Sequence, residues 1–127
     1  MRLRAQQLIE GAERAIASAE LELEADDAEA AIERACVAML RLAKAALDVD
    51  DLTPGPTQAV CVAYGKQFAR SGRLYSAYHR WLLDAADLRK AVSSDLTGPI
   101  DRDAVVTVVE RSAVFRDAVV RFVDRNG

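Results

Sequence analysis

The sequence has little of what metal centres and covalent staples are built from. Its 127 residues include two cysteines and one histidine, with no Cys-x-x-Cys pair. A zinc site would therefore lack ligands of the right kind, and neither a metal nor any other cofactor is expected. Cys36 and Cys61 each fall inside an apolar pattern, where a free thiol packs as a small buried hydrophobe. Uninterrupted apolar runs near the roughly 20 residues that cross a bilayer are also missing. The opening segment MRLRAQQLIEGAERA has basic residues but not the continuous apolar stretch of a signal peptide. No membrane association is expected, and a cytoplasmic location is the default. Nor is there an excess of positive charge, since the formal net charge is −3. Any contact with RNA or a nucleotide must use a local basic patch rather than the field of the whole molecule.

Proline is scarce, and where it occurs it punctuates. In DVDDLTPGPT, Pro54 and Pro56 bracket Gly55 behind an acidic run, which makes this the one strong breaker in the chain. Between the breakers the apolar residues recur at helical spacing. Leu8, Ala12, Ala15, Ile16, Ala19 and Leu23 predict a first helix. Asp26 or Asp27 can cap a second, with Glu29 three residues after Asp26 in capping-box fashion. Ile32, Cys36, Met39, Leu40, Ala43 and Leu47 form the stripe of that second helix.

After the Pro-Gly loop comes AVCVAYGKQFARSG. Val60, Ala63, Tyr64 and Phe68 share one helical face, Lys66 and Arg70 lie four apart on another, and Gly72 stands where a C-terminal cap belongs. Gly65-Lys66 is no phosphate loop of the Walker type, because the earlier glycine and the following hydroxyl residue are absent. The whole stretch reads as a third helix. A fourth, aromatic-rich helix is predicted from Leu74 through Tyr75, Tyr78, Trp81, Leu82, Ala85 and Leu88 to Val92. The aromatics at this spacing are explained first by core packing, with base stacking as the alternative. Asp101 caps the last helix, in which Val105, Val108, Val109, Val119 and Val123 keep the helical period despite the β-branched run AVVTVV.

The expected fold is all-α: a single domain, 1–127, forming an antiparallel four- or five-helix up-and-down bundle. Val106, Val114 and Val120 lie off the main stripe of the last helix. A helix apolar on more than one side needs a second partner, and a homodimer is the simplest.

The order of segments adds to this. ERACVAMLRLAKAAL, the Pro-Gly loop, AVCVAYGKQFARSG and WLLDAADLRKAV together resemble the HEPN family of small helical bundles, over roughly residues 5 to 124. Arg34-Ala35-Cys36-Val37-Ala38-Met39 stands where that family commonly has an Arg-Ala-Tyr-Tyr-Ala-Met type sequence, so a tyrosine pair is replaced here by Cys36 and Val37. The resemblance implies a dimer, often paired with a minimal nucleotidyltransferase in a toxin–antitoxin type system. In active members it implies a metal-independent ribonuclease whose arginine precedes a histidine by one to two helical turns. Such a histidine moves a proton at the ribose hydroxyl or leaving oxygen while the arginine holds the phosphate.

Matching by segment puts the arginine at Arg89, with Ser93, Ser94 and Asp95 where the histidine is expected. Neither serine nor an ionised aspartate is a general acid near neutral pH, which suggests a catalytically degenerate member. Arg73 and His79 have the motif's spacing but stand at the start of the fourth helix, where six residues of separation turn the two side chains apart. The low-ranking catalytic candidates are thus Arg89, Arg73 and His79. The residues expected to bind nucleotide or RNA are Arg89, Lys90, Lys66, Arg70 and Arg73. An active ribonuclease toxin and a structural adaptor without ligand remain the alternatives.

Overall fold

The computed structural model describes residues 2–94 and 98–126. Five α-helices fill almost all of them: α1 (Leu3–Glu24), α2 (Ala28–Val49), α3 (Thr57–Tyr64), α4 (Ala77–Ser93) and α5 (Arg102–Asn126). The third continues into a single π-helical turn, Gly65–Ala69. No strand occurs among the described residues, so the all-helical expectation holds.

Helices α1 and α2 form a hairpin around a three-residue corner. Asp26 takes the left-handed conformation there, with φ 61°, which short polar side chains tolerate better than most. The cap falls to Asp27, whose Oδ1 accepts from the Ala30 N–H at 3.1 Å. Of the two capping choices, Asp26 with Glu29 is the one the chain does not use. Ala12, Ala15 and Ala19 on α1 and Ala31, Ala35 and Ala38 on α2 are buried. Short side chains on both helices allow close approach, and buried Gly11 lets Arg41 donate to its carbonyl at 3.0 Å.

Helix α2 is the hub, packed against α1, α3, α4 and α5. The β-branched run of α5 is helical throughout, begun by Asp101, whose Oδ1 accepts from the Ala104 N–H at 3.2 Å. The extra valines find most of their cover within the chain. Val106 borders Glu20 and Leu23, and Val120 borders Ile9, all on α1. Val114 alone of the three is exposed. The apolar surface that pointed to a homodimer is therefore smaller than the pattern suggested.

Two boundaries differ from the helical period. The third helix does not run as regular α to Gly72, since Arg70 N–H bonds to the Gly65 carbonyl at 3.0 Å, the five-residue step of a π turn. The fourth begins at Ala77 rather than Leu74. Leu74 is buried but lies ahead of the helix, its N–H closing back on the Phe68 carbonyl at 3.4 Å. Gly72 adopts φ 72°, the left-handed geometry that its place behind the third helix called for.

The core's large members are aromatic. Tyr64 meets Phe115 edge-on at 5.6 Å and Phe68 at 5.1 Å, and Phe68 meets Phe122 edge-on at 5.3 Å. Of the aromatics for which base stacking was the alternative, Tyr64 is fully buried and serves packing, Tyr78 and Trp81 are half-buried, and Tyr75 is 65% exposed.

Candidate functional site

Helices α3 and α4 run side by side in opposite directions and leave a groove between them. Two adjoining depressions make it up, of about 430 Å³ and about 650 Å³, with Gln58, Cys61 and Leu83 common to both walls. One end gathers Lys66, Arg70 and His79. The other gathers Arg89, Lys90, Ser93 and Asp87 beside Cys36 and the first residue of α3, Thr57. From His79 to Arg89 the rise of α4 is about 15 Å, so the cationic ends are separated by roughly that distance.

Four of the five residues expected to bind nucleotide or RNA thus line one groove. Lys66, Arg70 and Lys90 are exposed and have no ion-pair partner among the described residues. Arg89 is half-buried, with Nε donating to Glu33 Oε2 on α2 at 3.0 Å. That bond and a hydrogen bond to the Cys36 thiol orient the guanidinium on the groove wall.

Arg73, the fifth, is elsewhere. Its two terminal nitrogens donate to both carboxylate oxygens of Asp50, at 2.6 and 3.1 Å. Its guanidinium carbon lies 5.0 Å from the Phe68 ring centre and 5.4 Å from that of Phe122. A fork-to-fork pair with two aromatic faces beneath it ties the loop before α4 to the end of α2.

His79 therefore faces different partners from Arg73. Its Nε2 is 3.1 Å from the Cys61 carbonyl; a carbonyl only accepts, so Nε2 carries the proton and Nδ1 is the nitrogen left over. The ring stacks at 25° to Tyr64 and presses on Gly65, where a Cβ would come within 2.7 Å of Cε1 and Nε2. Glycine at 65 is what lets the imidazole reach the α3 backbone, at the residue where the π turn begins. Such turns recur at functional sites in helices.

The two cysteines are buried and free, as their apolar setting led one to expect. Burial pushes the Cys36 thiol up, opposed by the charge and hydrogen bond of Arg89. Burial also pushes Cys61 up, with the Asp87 carboxylate adding to the effect. Both thiols are protonated and unreactive near neutral pH. Among the described residues no group of three or more His, Cys, Asp or Glu side chains could hold a metal ion, and no helix is long and apolar enough to cross a membrane.

At the motif position beside Arg89, Ser93 Oγ donates to the Arg89 carbonyl at 3.0 Å, while Asp95 lies outside the described residues. Glu33, Gln58, Cys61 and Asp87 belong to the site although the sequence did not flag them for it. Glu33 lies 56 residues from Arg89, and no local spacing could have paired them. Chemically, the groove offers cations at both ends, with Asp87 beside those at one of them, a middle of Gln58, Cys61 and Leu83, and one imidazole. It suits an extended anion held by its charges. No protein-family model matches the chain, and no curated protein does either.

Proposed function

We propose that the chain is a HEPN-like, catalytically degenerate interaction module, an antiparallel up-and-down bundle that dimerises, pairs with a minimal nucleotidyltransferase, and holds RNA or a nucleotide by its phosphates in the α3–α4 groove. The observation that carries the anion site is the gathering of Lys66 and Arg70 at one end of a single groove and Arg89 and Lys90 at the other. Phosphate contacts of this kind position a strand without reading its sequence. No Phe, Tyr or Trp lines the groove as a stacking platform, which favours binding that is indifferent to base. Degeneracy is supported at Arg89, where the neighbouring Ser93 is no acid or base and the carboxylate of Glu33 is taken up in the ion pair with Arg89 itself. The family, partner and toxin–antitoxin setting rest on the resemblance alone.

A second reading, a ribonuclease, is favoured by one feature: His79 lines the groove beside Lys66 and Arg70, with Nδ1 uncommitted. One set of samples separates the two. Binding of a labelled oligouridylate and degradation of a longer RNA are measured for wild type, Arg89→Ala, Lys66→Ala/Arg70→Ala and His79→Ala. The binding module predicts negligible cleavage in all four, with affinity reduced in the cation variants and made less salt-dependent. Robust wild-type cleavage that vanishes in His79→Ala would establish the ribonuclease. Absence of both binding and cleavage would leave a structural adaptor.

A further inference from the structure

We propose, building on the anion-site reading of the groove, that it receives the acidic end of α1 from a second copy of this chain. Leu83 stands in the middle of the groove with Gln58 and Cys61, and Val62, 66% exposed, lines the end that holds Lys66 and Arg70. Apart from half-buried His79, no aromatic lines it. Stacked bases gain little on such a floor, whereas a helix that carries an exposed leucine beside carboxylates matches it in charge.

The last turns of α1 have that pattern. Leu21 is 65% exposed, and Glu20 and Glu24, four residues apart, form an acidic row along one side of it. Glu22 and Asp26 are engaged by Arg34 and Arg102, but Glu20 and Glu24 have no ion pair among the described residues, nor do Asp27 and Glu29 just past the corner. An exposed leucine near unpaired Glu20 and Glu24 and an exposed valine near unpaired Lys66 and Arg70 are complementary surfaces on one chain. Helix α1 packs on α2 and α5, whereas the groove is made by α3 and α4, so the occupant comes from another copy.

The contact joins two different patches. It builds a two-fold dimer when used reciprocally and a head-to-tail chain when used once. Salt weakens it by screening, and an oligonucleotide competes with it for Lys66, Arg70, Arg89 and Lys90.

Sedimentation velocity at low and high salt tests this with wild type, Leu21→Arg, Lys66→Glu/Arg70→Glu, and an equimolar mixture of the two variants, with circular dichroism to verify folding. All substituted side chains are exposed, so the fold is retained. Expected are a wild type that associates in low salt and dissociates in high salt, two variants that are each monomeric, and a one-to-one heterodimer in the mixture. That heterodimer forms because one variant keeps the groove and the other keeps the α1 end. A monomeric wild type, variants that still self-associate, or a mixture that stays monomeric would each overturn the contact. Oligouridylate anisotropy on the same samples distinguishes the two levels. A monomeric wild type that binds the oligonucleotide removes the self-contact and keeps the anion site; one that neither associates nor binds removes both.

Discussion

The side of the molecule built from α1, α2 and α5 and the side built from α3 and α4 follow different rules. In α2, twelve of 22 residues are buried, most of them alanine or aliphatic. In α4, two of 17 are: Leu82 and Ala85. The first side spends its sequence on close helix packing. In the second, α4 leaves most side chains half-buried, and the groove, the π turn and unpaired Lys66, Arg70 and Lys90 are there. Low burial is what makes an element locally adjustable, so the division separates the tightly packed part of the fold from the part that carries the groove.

Core truncation should expose the division most strongly. Phe115 is fully buried on α5 between Tyr64 and Tyr78, and Phe115→Ala is expected to cost about 3–5 kcal/mol. Leu83 is half-buried on the groove wall, and Leu83→Ala is expected to cost less than about 1 kcal/mol. Urea denaturation measures both. Similar losses would mean that the groove wall is as integral to the core as α5, and the comparison would break.

The seam between α3 and α4 should show an intermediate effect. A methyl group at Gly65 collides with the His79 ring, which must then give up its bond to the Cys61 carbonyl. Gly65→Ala is expected to destabilise by about 1–3 kcal/mol in the wild-type background. With His79→Ala the obstacle is gone, and the same change becomes neutral or stabilising by up to about 1 kcal/mol through helix propensity. A double-mutant cycle checks this: additivity would show that His79 does not lock α3 to α4.

Most of the first side was legible in the sequence. The stripes from Leu8 to Leu23 and from Ile32 to Leu47 depend only on local period, and so does the capping of α5 by Asp101. The second side was legible as residues but not as geometry. Lys66, Arg70, Arg89 and Lys90 stood out as a basic cluster, yet nothing local says that antiparallel α3 and α4 place them at two ends of one groove. Arg73 stood out equally and turns instead to Asp50, 23 residues away. The close approach of the His79 imidazole to Gly65, where the π turn begins, was invisible because it is a tertiary contact. Leu74 was read into the fourth helix from its apolar character, but its N–H closes on Phe68 and the helix waits for Ala77.

The smallest expected effect concerns pH, and it sharpens the comparison because both thiols line the groove, Cys61 from α3 and Cys36 from α2. Burial raises Cys36 and Cys61, so the folded protein holds those protons more tightly than the unfolded chain does. An unfolded cysteine titrates near pH 8.5. Below that pH both states are protonated and the stabilisation is complete; as pH rises toward the raised folded values, the unfolded chain alone releases protons and stability falls. The slope is at most about 1.4 kcal/mol per pH unit for each thiol. Tyr64, also pushed up by burial, contributes in the same direction only near its own ordinary value of about 10, so the window between roughly pH 8.5 and 9.5 isolates the cysteines. Urea denaturation across that window should show a decline in the wild type that is partial in Cys36→Ala and largely absent in Cys36→Ala/Cys61→Ala. Arg89 opposes the rise at Cys36, so Arg89→Ala should steepen the decline. Hydrogen exchange should place the alkaline loosening first in α3 and α4 while α1 stays protected. Loosening that begins in α1, or a slope indifferent to both cysteines, would mean that the groove side is not where the fold first yields.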